Sequence, residues 1–149
     1  MTPVELRKAI AALLSSQRLG VLATQTGGQP HTGLVAFATT PDLKWLVFAT
    51  DRDTRKHRNL TADPRASMLV DNRENLPADL RHAASVTANG RCVELAGADR
   101  ARELDRLLTR HPSLAAFLGG ASTAVFVLEV SAYYFVSHFS AVQEFVPGP

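Results

Sequence analysis

Apolar residues at Leu6, Ile10, Leu13 and Leu14 share one face at helical spacing. Ahead of them, Thr2, Pro3 and Glu5 form a capping box with proline at the first helical position. The pattern predicts an amphipathic helix to about Ser16, and then its period changes. Residues 19–24 read as a strand, the cluster Thr26, Gly27, Gly28 and Gln29 as a turn, and residues 31–38 as the hairpin partner. Thr40, Pro41 and Asp42 make the next turn, and residues 43–49, ending in the apolar run WLVFA, form a third strand. Three short strands in succession predict a meander.

A strand feeding a helix follows. Asp53 or Thr54 can cap a helix that Pro64 must stop. Its first turn holds Arg55, Lys56, His57 and Arg58, where free amides and the positive end of the helix dipole favour acids instead. A bound anion resolves that conflict, because amides, a hydroxyl, a guanidinium and an ammonium together make a phosphate cradle. A solvated basic face balanced by Asp51 and Asp53 resolves it equally well on spacing alone.

Beyond Pro64, residues 66–70 read as a fourth strand and residues 71–80 as a polar connection. Residues 83–95 are strand-like with Asn89 and Gly90 in the middle, which fits a tight hairpin turn or a bulge in one bent strand. Asp99 is placed to cap a helix through Leu104, Leu107 and Leu108, Pro112 opens a shorter one, and Gly119 with Gly120 ends it. Residues 124–136 are β-rich, and residues 138–146 continue the pattern. Short strands without βαβ alternation favour a small antiparallel barrel over a parallel sheet.

Composition narrows the functional classes. A chain of 149 residues that is 46% hydrophobic suits a single domain spanning 1–149. Sixteen basic residues against 14 acidic ones leave a net charge of +2, a slight excess that does not suggest wholesale nucleic-acid binding. Few aromatics accompany the basic turn, so a base-stacking platform is not expected. Cys92 is the only cysteine, which excludes an internal disulfide and a cysteine-rich zinc site, and a buried inert thiol is expected. No apolar run approaches membrane-spanning length, so a soluble, cytoplasmic protein without a membrane partner is expected. The five histidines fall at no metal-ligand spacing and are read as surface or satisfied core residues. No nucleophile elbow or carboxylate pair stands out.

The stretch FATDRDTRKHRNLTADPRASMLV resembles the strand, S/T-R-K turn and helix of the pyridoxamine 5′-phosphate oxidase-like flavoproteins, especially their smaller FMN-binding and haem-utilisation-type relatives. The resemblance implies an α+β fold, a six-stranded antiparallel split β-barrel with flanking helices, in which residues 83–95 form one bent strand. It also implies a homodimer with FMN at the subunit interface. Arg55 and Lys56 would hold the FMN phosphate with help from Thr54, while Ala49 and Thr50 would meet the phosphate and ribityl chain. Thr32, Gly33, Leu34, Val35 and Ala36 would lie along the flavin, Gly33 allowing close approach of the ring. Asn72 and Arg73 resemble a loop reaching toward the flavin, and Ser85 a position that contacts the ring system. Asn59 and Arg65 are read instead as bracing the helix. His138 on the last strand loosely resembles a histidine of the haem-handling relatives.

The chain also departs from the oxidases. Their second strand carries basic residues, one of them reaching the substrate phosphate, whereas here Gly33 is followed by the apolar run LVAFA. Their C-terminal segment holds Trp and Arg, whereas this one reads YYFVSHFSAVQEFVPGP. Pyridoxamine phosphate oxidation is therefore not expected. The implied activity is flavin-dependent oxidation or reduction of an unidentified small molecule, with an F420- or haem-binding barrel and a non-enzymatic flavin carrier as alternatives. Flavin chemistry resides in the cofactor, so the missing catalytic triad does not argue against an enzyme.

Overall fold

The period of two expected of a half-buried strand appears directly in burial. In the computed structural model, which describes residues 1–139 and 141–149, β1 (Leu19–Thr26) turns Gly20, Leu22 and Thr24 inward. With β2 (Gln29–Thr39) and β3 (Trp45–Asp51) it forms the predicted meander. The sheet continues from β1 through β4 (Arg65–Asp71), β5 (Ser85–Glu94) and β6 (Thr123–Ser137), all antiparallel. Pairing of β3 with β6, from Trp45↔Glu129 to Asp51↔Thr123, closes a six-stranded barrel, and β7 (Ala141–Phe145) adds to β6. This is the α+β split barrel that the resemblance implied.

Two apolar clusters hold it together. Leu22, Phe37, Phe48, Met68, Val86 and Leu128 fill the barrel, and α1 (Pro3–Ser16) packs Leu6, Ile10, Leu13 and Leu14 against them. The second cluster joins the opposite sides of β2, β3 and β6 to α4 (Gly97–Arg110) and α5 (Ala115–Leu118), through Ala38, Val47, Val125 and Val127 against Leu107 and Leu118. The helix α2 (Arg55–Ala62) is tied to β1 by Asn59, whose amide donates to Thr24 Oγ1 at 3.0 Å and whose Oδ1 accepts from Thr26 Oγ1 at 2.6 Å. Arg65 pairs with Asp63 at 2.6 Å, so both residues brace the fold as expected.

β5 is one bent strand. Its register against β6 shifts between Asn89 and Gly90, and a Cβ on Gly90 would lie 2.8 Å from the Glu129 carbonyl carbon.

Four local expectations are corrected. The third strand begins at Trp45, because Leu43 sits in the preceding turn at φ 63°, its carbonyl accepting the Tyr133 hydroxyl at 2.7 Å. The connection after β4 contains a short helix, α3 (Asp79–His82), and the Asp79 carboxylate accepts the amides of Glu74, Asn75 and Leu76. Asp99 is not a cap: the N-cap is Ala96, the chain enters α4 through Gly97 at φ 60°, and Asp99 pairs with Arg102 at 2.9 Å. His138, expected on the last strand, lies in a turn instead: His138 and Phe139, at φ 51° and 63°, reverse the chain, and the β-rich pattern expected over residues 138–146 resumes as β7, folded back on β6. Ser140, inside that expected run, lies outside the described residues.

Candidate functional site

The ladder between β2 and β3 is incomplete. It comprises only Phe37↔Phe48, Ala38↔Val47 and Thr39↔Leu46. Among the described residues, β2 toward its start therefore has β1 on one side and no strand on the other, while Ala49, Thr50 and Asp51 pair only with β6. Backbone donors and acceptors along such an edge need partners from elsewhere. A cavity of about 370 Å³ opens at this split. Leu34, Val35 and Ala36 line one lip, Ala49, Thr50 and Asp51 the other, and Thr54 and Lys56 reach in from the start of α2.

The turn into α2 is held by its own side chains. Thr54 is the N-cap: its Oγ1 accepts from His57 N–H at 3.2 Å, donates to the Asp51 carbonyl at 2.8 Å and meets Thr50 Oγ1 at 3.0 Å. A hydroxyl so engaged has no hydrogen left for a ligand, so its part is to shape the turn. The Asp51 carboxylate accepts from Ser122 Oγ at 2.7 Å and from Asp53 N–H at 2.8 Å. The Ser122 hydrogen bond chiefly holds its carboxyl below the usual aspartate range.

The ion pairs distinguish the two explanations of the basic turn. Arg58 lies 3.7 Å from Asp53, and His57 Nε2 lies 3.1 Å from Glu94, which also binds Arg52 at 2.7 Å. Burial pushes the Glu94 carboxyl upward, but hydrogen bonds from Arg52 and His57 outweigh it and leave the net shift downward. Arg55 and Lys56 have no ion-pair partner among the described residues. The acids of this region are committed to other partners, so neither cation is held in an ion pair, and a solvated face suits the exposed Arg55 better than the half-buried Lys56.

Lys56 is half-buried and lines the cavity, whereas Arg55 is exposed beside it. The lysine chain crosses β2 at Gly33, where an added Cβ would stand 3.5 Å from Nζ and 3.6 Å from Cδ. The close approach that Gly33 permits is thus made by Lys56. Thr32 is exposed on the same open strand, outside the cavity wall.

The remaining expected residues gather elsewhere. Asn72 Oδ1 accepts the Ala84 amide at 2.8 Å, and Arg73 Nε lies 3.1 Å from Asp71. Arg73 and Ser85 line a second cavity of about 410 Å³ with Leu69, Leu80, Val136 and Phe139. Within one chain the two cavities share no lining residue.

An apolar wall escaped the sequence reading. Leu107 of α4, with Leu114, Phe117 and Leu118 of the following segment, closes the first cavity opposite β2. Their spacing is that of any amphipathic helix, so no signal separated them from core. Cys92 is buried, and burial pushes its thiol up to about 12, as an inert residue requires. His111 is buried and satisfied, with Nε2 2.7 Å from the Phe37 carbonyl, and His138 Nδ1 lies 3.2 Å from the Arg81 carbonyl. Among the described residues no cluster of His, Cys, Asp or Glu could hold a metal ion. Among the described residues no helix is long and apolar enough to cross a membrane.

A family model described as pyridoxamine 5′-phosphate oxidase matches residues 6–137. No protein with a curated description matches the sequence. Among solved structures, a haem-binding protein from Mycobacterium smegmatis is similar at TM-score 0.83 and 23% identity, over 99% of this chain and 59% of that one. ChuZ from Campylobacter jejuni is similar at TM-score 0.83 and 13% identity, over 96% of this chain and 60% of that one. An FAD-binding protein from Mesorhizobium loti is similar at TM-score 0.71 and 21% identity, over 91% of this chain and 92% of that one. The chain thus spans about three fifths of the length of the first two. These likenesses establish the fold.

Proposed function

From the premise that the chain belongs to the pyridoxamine 5′-phosphate oxidase family, we propose that it binds FMN in the split between β2 and β3 and acts as a flavin-dependent oxidoreductase on a small molecule. The observation that carries this reading is the coincidence, at one cavity, of an unpaired strand edge, a helix N-terminus and an ion-unpaired lysine. Each part fits a piece of the cofactor. The amides that open α2 and the Lys56 ammonium suit a phosphate. The open edge of β2 offers backbone groups to the polar edge of an isoalloxazine, and Leu34, Ala36, Leu107 and Phe117 offer apolar contact.

FMN supplies the hydride or electron chemistry when bound, and the chain's residues supply anchorage, orientation and exclusion of water. Lys56 neutralises the phosphate, the Thr50, Asp51 and Thr54 network fixes the turn that presents the amides, and the apolar wall keeps the ring side dry. Arg55, exposed at the rim, adds to the field without closing on the ligand.

The same reading includes a homodimer. From β2 to β6 one rung of the sheet runs Leu34, Val21, Leu69, Thr87 and Tyr134 without a charge before reaching Glu144 on β7, and Leu34 lines the first cavity and Leu69 the second. Leu34 is 65% exposed and Leu69 36% exposed, an apolar surface that a second copy would cover. A twofold arrangement on this face would bring one protomer's cavity at Arg73 and Ser85 toward its partner's split and so join the two groups of expected residues in one site.

The test is equilibrium titration of the purified, cofactor-stripped protein with FMN, riboflavin, FAD, F420 and haem, followed by absorption and flavin fluorescence. FMN should bind most tightly and riboflavin measurably less. Preferential binding of haem or F420 would overturn the cofactor assignment. Stalling after a single reduction, with every acceptor offered, would identify a carrier in place of an enzyme.

A further inference from the structure

The segment that closes the cavity is tied at both ends to opposite lips of the split. At its start, Arg110 donates to the carbonyls of Leu14 and Ser15, each at 3.1 Å, and to that of Gln17, and its guanidinium lies 5.3 Å from the Phe37 ring centre. His111 Nε2 meets the Phe37 carbonyl at 2.7 Å. That carbonyl lies beyond the last β1–β2 rung, Leu19↔Ala36, so the imidazole takes the place of a missing strand partner. Both tie points adjoin cavity residues, Gln17 near Leu19 and Phe37 next to Ala36.

At its end the chain is fastened to the other lip. Thr123 Oγ1 donates to the Phe117 carbonyl at 2.6 Å, Ser122 Oγ donates to the Asp51 carboxylate at 2.7 Å, and Arg52 N–H donates to the Ser122 carbonyl at 3.0 Å. Asp51 is also the residue whose carbonyl holds Thr54. The segment between the ties carries Leu114, Phe117 and Leu118 of the cavity wall.

We infer that residues 112–118 form a strap across the split that fixes the cavity's width, with His111 and Ser122 as the positioning residues at its two ends. The ligand named in the test rests on the FMN reading, whereas the strap itself does not. Ser122 acts through Asp51 on the turn that would meet a phosphate. His111 acts on the wall that would meet the ring. Losing the first should therefore be felt by a phosphorylated flavin alone, and losing the second by any flavin.

The experiment compares FMN and riboflavin dissociation constants for the full chain and for Ser122→Ala, His111→Leu and His111→Gln, with thermal stability measured alongside. Loss of one positioning hydrogen bond should weaken binding about five- to tenfold. Ser122→Ala should show this for FMN and leave riboflavin within about twofold, His111→Leu should show it for both, and His111→Gln, which keeps an N–H donor, should recover most of it. Lowered melting temperatures with unchanged dissociation constants would mean a purely structural role and would overturn the inference. Should the wild-type chain bind neither flavin, the FMN reading fails separately and hydrogen exchange decides on the strap. Ser122→Ala should then speed exchange in residues 117–120 and 51–55 together, and acceleration confined to one of these segments would overturn it.

Discussion

Replacing Lys56 and Arg55 one at a time separates the cavity's cation from its neighbour on the rim. Lys56 is half-buried, lines the cavity and, among the described residues, has no carboxylate in ion-pair range, so on the proposed reading a phosphate would be its partner. A hydrogen bond to a charged group contributes about 1.5–3 kcal/mol, which makes Lys56→Ala about 10- to 150-fold weaker for FMN. Arg55 is exposed and outside the lining, where screening holds an ionic contact to about 0.2–1 kcal/mol, and Arg55→Ala should cost about fivefold at most. Arg58 faces Asp53 across 3.7 Å and does not line the cavity, so Arg58→Ala should leave FMN affinity within about twofold. Fluorescence-quenching titration measures all three, and riboflavin is the control because it lacks the phosphate. The reasoning is refuted if Arg55→Ala costs as much as Lys56→Ala, or if Lys56→Ala weakens riboflavin by the same factor as FMN.

Other outcomes rest on single features. Gly90→Ala should destabilise the protein by about 3 kcal/mol, since its Cβ would lie 2.8 Å from the Glu129 carbonyl carbon, whereas Gly33→Ala, with 3.5 Å to the flexible Lys56 Nζ, should change stability by less than about 1 kcal/mol; urea denaturation compares them. Cys92, its thiol pushed up to about 12 by burial, should resist thiol reagents at pH near 8 and react at once in denaturant. Hydrogen bonds from Arg65 hold the Asp63 carboxyl down to about 2 against an ordinary 3.8. A lowered folded-state value stabilises above the ordinary one and is lost as the pH falls through the lower, so Asp63→Asn should flatten acid destabilisation between those two values.

Strand period, turn chemistry and caps are local properties, and they were legible. The meander of β1, β2 and β3 and a cap at Asp53 or Thr54, which the structure resolves to Thr54, follow from residues within a few positions of each other. Closure of the barrel was legible only by resemblance, because β3 pairs with β6 across most of the chain. α3 was missed because its four residues bury nothing and so leave no apolar period. The basic turn announced itself because Arg55 and Lys56 contradict the helix dipole, a conflict that a sequence displays. Leu107, Leu114, Phe117 and Leu118 displayed none, since an apolar side chain facing a cavity and one facing a core obey the same spacing. That Ser85 and Arg73 stand apart from Lys56 could not be read at all, because it depends on which sheet face each strand presents.

The split itself connects fold to function. A barrel that closed fully would pair every residue of β2 with β3 and leave no backbone group for a ligand. Here the ladder stops at Phe37↔Phe48, and the chain secures the gap by other means: α2 spans one end, the segment after α4 covers the outside, and side-chain hydrogen bonds bind both to the lips. Those bonds use up the hydroxyl of Thr54 and the carboxylate of Asp51 inside the protein. What remains directed outward is the set of groups a strand or helix cannot satisfy by itself, namely the β2 edge, the first amides of α2 and the Lys56 ammonium. A ligand that meets all three needs a flat polar edge and an anion on a short tether. The barrel's unfinished ladder leaves that opening, the strap over it sets its width, and Lys56 is the cation that a bound anion would meet.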